Sequence, residues 1–276
     1  MNTMIMKTTM GKMASTEAGR TAFVDSVVAF CQKFGFEGLA FDWMYPTQRG
    51  GAAADKENYV LLLEALKEKL SANGLTLFVG VGAAENVATA AYDFVNVAKN
   101  ADQVIVWTYD YHSYADGYTA VSAPLTASDN RSVENSINLW LDAGVEASKL
   151  VIGVAAYGHT AHLADASKHG IGDAVTGPGT AGQYSQEPGI LAYFEYCSNT
   201  NWVTVHSDDS SYVYAYHDNE WFNFDDEDTL SAKGQFAKEK GLGGFMMYSM
   251  ESDDFKGLCG VPYPVLIGIN DGMFKK

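Results

Sequence analysis

The sequence predicts an α/β fold: a (β/α)8 TIM-type barrel, incomplete at its N-terminus and carrying an inserted α+β subdomain. Three observations predict it. Short apolar runs alternate with amphipathic stretches, the pattern of βαβ units around a parallel sheet. The chain has 276 residues, 47% of them hydrophobic, which suffices for one barrel-sized core. The alternation then breaks between residues 158 and 224, where Gly, Ser, Thr, Asp and aromatic residues dominate. That stretch is read as the insertion, leaving residues 1–157 and 225–276 to the barrel.

The elements come in this order. Ser15 or Thr16 suits a helix N-cap, with Glu17 favourable in the first turn and Phe23, Val27, Cys31 and Phe34 at helical spacing. The run from Gly38 to Trp43 is too short for a helix and reads as a buried strand. Asp55 is expected to cap the next helix, whose apolar face is Tyr59, Leu62, Leu63, Leu66 and Leu70 and whose end is Asn73-Gly74. Thr76 to Val81 is strand-like, Ala88 to Ala98 helical, Gln103 to Tyr109 strand-like and Asn135 to Ala143 helical, with Gly144 as its stop. Leu150 to Tyr157 is a fourth strand. Past the insertion, Asp228 to Lys240 is a helix preceded by a solvated acidic run from Asp225, and Gly243 to Met250 is a fifth strand. Residues 4–9 are a candidate remnant of a sixth. A closed barrel needs eight.

Composition limits the partners. A formal net charge of −16 repels phosphate backbones and anionic lipid, which argues against nucleic acid and membrane. No apolar run reaches membrane-spanning length. The first residues, Met1-Asn2-Thr3-Met4-Ile5-Met6-Lys7, lack the apolar core and cleavage site of a signal peptide, so either the chain is cytosolic or its natural N-terminus is different. The 3 cysteines, Cys31, Cys197 and Cys259, do not have zinc spacing; one disulfide with one free thiol and three free thiols both fit. Asn130-Arg131-Ser132 is a glycosylation sequon, used only in a secreted chain. The 6 histidines show no ligand spacing: His159 and His162 are three apart, with no third ligand in sight, so neither a metal nor another cofactor is expected.

The most informative stretch is Glu37-Gly38-Leu39-Ala40-Phe41-Asp42-Trp43-Met44-Tyr45-Pro46. Alternate side chains of a strand share a face, so Ala40, Asp42 and Met44 are expected to point together toward the C-terminal mouth, where barrel sites lie. A carboxylate there is costly to bury without a partner, which marks Asp42 for a role.

This segment resembles the DxxDxDxE motif of glycoside hydrolase family 18, the chitinases and chitinase-like proteins. Tyr45-Pro46, Arg49-Gly50-Gly51 and Asp55-Lys56-Glu57-Asn58-Tyr59 are similar to the residues just past that motif in animal members. Thr108-Tyr109-Asp110-Tyr111-His112 resembles the MxYD strand end, and Tyr157-Gly158 the start of the inserted subdomain. Gly182-Gln183-Tyr184, Glu187 to Tyr193, Gly241 to Gly244 and Asp253-Asp254-Phe255 continue the likeness in order. The resemblance implies a retaining, substrate-assisted glycosidase in which the motif's glutamate protonates the leaving oxygen and the preceding aspartate orients the N-acetyl group. It also implies a Cys197–Cys259 disulfide, a secreted protein, and a sugar site formed by Asp42, Tyr45, Trp107, Tyr109, Asp110, Tyr157 and Tyr248.

The chain departs from that pattern where the chemistry is. The glutamate position is Met44, and a thioether donates no proton. The first aspartate of the core motif is Ala40, and Glu37 stands for the opening one at the far end of the strand. Trp107 replaces the usual methionine, His159 a common arginine, and Tyr248 the tryptophan that floors the sugar site. No catalytic set is intact among Ala40, Asp42 and Met44. The expectation is a chitinase-like protein that binds chitin or other N-acetylglucosamine oligosaccharides without hydrolysing them. Two alternatives stay open: residual hydrolysis with Asp42, Glu251 or Asp253 as acid, and a structural or growth-factor-like role with no sugar. Missing N-terminal strands would leave an open edge, so a homo-oligomer or a partner chain completing the barrel is also considered.

Overall fold

The computed structural model describes residues 9–275, and the candidate strand at residues 4–9 lies outside them except for Thr9, which is helical. The chain divides into two compact units, Met1–Trp107 with Ile137–Val151 and Thr108–Ser136 with Ile152–Lys276.

In the first unit, helix α1 (Glu17–Phe34) starts where Thr16 accepts the Gly19 N–H at 3.1 Å and ends on Gly35, whose φ of 71° is the left-handed cap. It buries Val24, Val28 and Cys31, one step round from part of the expected face, and leaves Phe34 exposed. Strand β1 (Gly38–Asp42) is next, then α2 (Asp55–Ala72), β2 (Thr76–Gly82), α3 (Glu85–Ala91), α4 (Phe94–Lys99) and β3 (Gln103–Trp107). Asp55 is not the cap of α2. It is the first helical residue, and its buried carboxylate accepts the Ala52 N–H at 2.8 Å, folding the loop back onto the helix start. The single helix expected from Ala88 to Ala98 is two, because Asp93 accepts the Asn96 N–H and starts a new one.

Strands β1, β2 and β3 run parallel, with Asp42 opposite Gly80 and Gly82 opposite Trp107. Period-2 alternation sorts their side chains. On one face Phe41 and Trp43 are buried against Tyr59 of α2, whose Leu62, Leu63, Leu66 and Leu70 are fully enclosed. Each such leucine contributes roughly 1.5–3 kcal/mol by leaving water. On the other face Ala40, Asp42 and Phe78 are open to solvent. β3 stops at Trp107, so Tyr109 and Asp110 lie past the strand rather than at its last residues.

In the second unit, β4 (Leu150–Ala155, whose first two residues belong to the first unit) and β11 (Gly244–Tyr248) are neighbours. Between them the chain forms a six-stranded antiparallel sheet from β5 (Tyr157–Leu163), β6 (Val175–Pro178), β7 (Ile190–Ala192), β8 (Val203–His206), β9 (Val213–His217) and β10 (Glu220–Phe224). Its order is β6-β5-β10-β9-β8, with β7 on the same edge of the path as an extra partner of β5. This insertion is β-rich; the helical part within it is the short α6 (Tyr193–Cys197). Leu191, Val213, Ala215, Phe222 and Phe224 form its core.

Helix α5 (Val133–Asp142) precedes β4 in sequence, and α7 (Glu227–Lys240) and α8 (Pro264–Phe274) close the chain. Asp226 caps α7 by accepting the Thr229 N–H at 3.0 Å. Its neighbour Asp225 is not in the solvated run expected there. It is 3% exposed and holds the equally buried ammonium of Lys233, with the Thr229 hydroxyl donating at 2.9 Å. α8 has no counterpart among the elements expected from the sequence. It packs on α7 through bare backbone: a Cβ on Gly268 would strike the Glu227 carbonyl, and one on Gly272 the Ser231 carbonyl.

Candidate functional site

The residues singled out in the sequence fall into two groups, one in each unit. In the first unit, Asp42 ends β1 and accepts the Trp107 indole N–H at 3.1 Å. β2 runs between their strands and would block the contact if it carried a side chain there. A Cβ on Gly80 would overlap Asp42 Oδ1 and Trp107 Nε1, so glycine is what lets the two meet. Gly82 does the same for Tyr45, whose ring would meet a Cβ at 2.7 Å. Over that ring lies the Arg49 guanidinium, 4.9 Å from its centroid. Sequence reasoning misses both glycines; the available signal is the Gly80-Val81-Gly82 spacing, which places them on one face of a strand end.

Asp42 keeps one side open to solvent, yet the protein around it removes enough water to push its carboxyl above the ordinary value, and the Trp107 hydrogen bond pulls part of that back. Met44 is 43% exposed and Ala40 is also exposed, so this face of β1 and the residues just past it present a methyl, a carboxylate and a thioether to solvent. Of the three, only Asp42 can take part in proton chemistry.

Gly80→Ala is expected to separate Asp42 from Trp107 and to cost about 1–3 kcal/mol, the usual penalty for forcing atoms into a filled space. Urea unfolding followed by tryptophan fluorescence checks it; an unchanged midpoint would mean that the contact is not made in solution.

In the second unit, Asp110 sits in the left-handed region at φ 58°, a conformation that aspartate tolerates better than most residues. The Tyr157 hydroxyl donates to both of its carboxylate oxygens at 2.9 Å, and His159 Nε2 lies 2.8 Å from Oδ1. Burial first, and then the Asp110 charge, push the Tyr157 phenol far above its ordinary value, so it stays neutral and donating at pH 7. Tyr157 is also the centre of an aromatic group. Tyr109, His159 and Tyr248 meet it near-perpendicular, with centroids 6.1 to 6.3 Å away. Tyr248 is 57% exposed, which leaves ring area for an external ligand. His159 joins the cluster although the sequence marks it only as a departure.

Other marked residues take structural roles. Asp253 is fully buried, and its carboxylate accepts the Leu266 N–H at 3.0 Å and those of Val265 and Asp254, at the start of α8. Cys197 and Cys259 are joined in a disulfide and Cys31 is free and buried. Asp254 lies with those two sulfurs in a cluster whose ligand atoms are within 4.8 Å of one another, but bonded sulfurs offer no thiolate to a metal. His159 and His162 leave β5 on opposite faces, the one toward Asp110 and the other 2.7 Å from Glu220 Oε1. Asn130 is in an exposed loop at φ 64°. No helix among the described residues is long and apolar enough to cross a membrane.

Parallel strands alternating with helices in the first unit and a β-rich insertion in the second are elements of the (β/α)8 barrel, the fold of the structural neighbours of this chain. The model of glycosyl hydrolases family 18 matches residues 7–253, and the chain belongs to that family. Mouse (Mus musculus) chitotriosidase-1 is 36% identical over 271 residues, covering 92% of this chain and 58% of that protein. The chain thus spans less than two thirds of that relative. The structure of Ostrinia furnacalis group II chitinase catalytic domain 2 matches with a TM-score of 0.93 at 29% identity, covering 97% of this chain and 74% of that one. Human YKL-39, described as a pseudo-chitinase with retained chitooligosaccharide binding, matches with a TM-score of 0.87 at 28% identity, over 94% of this chain and 75% of that one.

Proposed function

We propose that this chain is a chitinase-like protein that binds N-acetylglucosamine oligosaccharides and does not hydrolyse them. The observation that carries this reading is Met44: where the family resemblance calls for the proton donor, a half-exposed thioether faces solvent beside Asp42. General acid catalysis supplies about 10²–10⁴-fold in rate, and Ala40 removes the neighbouring carboxylate as well. Groups able to hold a sugar are present. Asp42 and Trp107 are joined, Tyr157 holds Asp110, and Tyr248 exposes a ring face of the kind on which sugar rings stack. YKL-39 is described as a pseudo-chitinase with retained chitooligosaccharide binding properties, which supports the reading.

Residual hydrolysis through Asp253 is disfavoured, because its oxygens already accept three backbone N–H groups and it is sealed from solvent. Secretion is part of the proposal. The Cys197–Cys259 disulfide and the exposed Asn130 sequon both suit an oxidising, glycosylating compartment.

Calorimetric titration with chitohexaose is expected to give saturable heat, while a fluorogenic chitotrioside releases no fluorophore. Absence of heat at millimolar ligand would overturn the binding half, and turnover would overturn the other.

A further inference from the structure

A cleft of about 610 Å³ opens in the second unit, on the side of β5 away from the Asp110–Tyr157 cluster. Alternation sets that sidedness: His159 turns to Asp110, and the next residue, Thr160, lines the cleft. Leu191, Phe194, Trp202 and Phe255 give it apolar walls, and Gln183 and Asn199 add amide groups. Its volume suits a small organic ligand.

Thr160 is the telling residue. It is 2% exposed, and its hydroxyl has no hydrogen-bond partner among the described residues. Buried polar groups are satisfied almost everywhere in folded proteins, so an orphan hydroxyl in a residue that lines a cleft is where a ligand can complete the bonding, the side chain turning about χ1 to reach it.

The charges say what kind of ligand. Glu195 accepts the backbone N–H groups of Tyr184, Ser185 and Ala192. Glu220 accepts from the backbone N–H and hydroxyl of Thr180 and faces His162. Asp254 accepts the N–H groups of Leu258 and Cys259. Each of those oxygens already accepts a hydrogen bond from the chain, so a cation bound here would compete with these donors. An anion would meet three carboxylates on a chain of net charge −16. What remains is a neutral molecule with apolar faces and hydrogen-bonding edges. We propose that the cleft is a second glycan-binding site, taking a neutral N-acetylated pyranose whose ring faces meet the aromatic walls and whose acetamido group meets the amides and the Thr160 hydroxyl. This goes beyond the strand-end reading and does not depend on it.

The 5 tryptophans provide the test, because Trp107 lies beside Asp42 and Trp202 lines the cleft. The full chain is labelled with 5-fluorotryptophan, its fluorine signals are assigned by single Trp→Phe variants, and di-N-acetylchitobiose and cellobiose are titrated separately. The Trp202 signal is expected to move saturably with di-N-acetylchitobiose, and far less with cellobiose, which lacks the acetamido group. It should do so equally in Asp42→Ala. Thr160→Val should weaken the midpoint about 5-fold, the loss of one hydrogen bond. That variant is expected to fold at least as stably as the natural chain, since it removes a polar atom that has no partner. A Trp202 signal that stays still up to tens of millimolar sugar, that is indifferent to Thr160→Val, or that answers only to an apolar solute such as benzyl alcohol overturns the proposal. Movement of Trp107 alone would uphold the strand-end site and sink this one; movement of Trp202 alone would do the reverse.

Discussion

Ala40→Asp combined with Met44→Glu is expected to give the chain measurable hydrolysis of a fluorogenic chitobioside, about 10²–10⁴-fold above whatever the natural chain shows, the range of a general acid. The geometry permits the change. Ala40 and Met44 lie on the solvent-open side of the β1 end, so neither new carboxylate is forced into an apolar interior. Glutamate is close to methionine in volume, and nothing needs to move to admit it. Three carboxylates two residues apart along one face also raise one another's proton affinity, which keeps a donor protonated near neutral pH. A silent double variant that still binds chitohexaose would show that the strand end no longer holds the substrate's glycosidic oxygen within reach. A natural chain that cleaves as fast as the double variant would show that some other group donates the proton, and the inference from Met44 would fall.

Lys233→Ala is expected to destabilise the protein by about 3–5 kcal/mol, as breaking a buried ion pair does when one charge stays behind. Both partners are almost wholly enclosed, and Asp225 would keep only the Thr229 hydroxyl. Burial pushes the Asp225 carboxyl up and Lys233 pulls it down, so deleting the lysine raises it further. A carboxyl with a raised folded-state pKa favours folding below its unfolded value, and that contribution is lost as pH rises through the folded one. The variant's deficit should therefore be smaller at pH 4 than at pH 8. Adding Asp225→Leu to Lys233→Met should recover most of the loss. Urea unfolding at the two pH values decides; a deficit below about 1 kcal/mol at pH 8 would mean that water reaches Asp225 in solution.

The contrast between these two sites shows what the chain discloses before it folds. The strand at Gly38–Asp42 is legible because an apolar run bounded by Gly and Pro has few other fates, and its alternation assigns Asp42 a face without further information. Asp225 is not. In a run of four residues with three aspartates and a glutamate, nothing local says which one meets a lysine eight positions on, since α7 must form before Lys233 faces it. Helix α8 is hidden for a related reason. Gly268 and Gly272 weaken its helical pattern, and their value emerges only where they let two backbones touch. Gly80 belongs with them: its contribution is the absence of a side chain between two partners on other strands.

Strand β5 carries a consequence for how this family member can change. His159 and Thr160 are consecutive and serve opposite faces of one sheet, and the ladder shifts only later, between His162 and Leu163. Substitution at either position alters one face and spares the other. Insertion or deletion of a single residue ahead of them would exchange the faces, bringing a threonine to Asp110 and an imidazole among the aromatic walls. The strand can thus drift in composition while its length is held fixed, and sequence divergence here should be rich in replacements and bare of gaps.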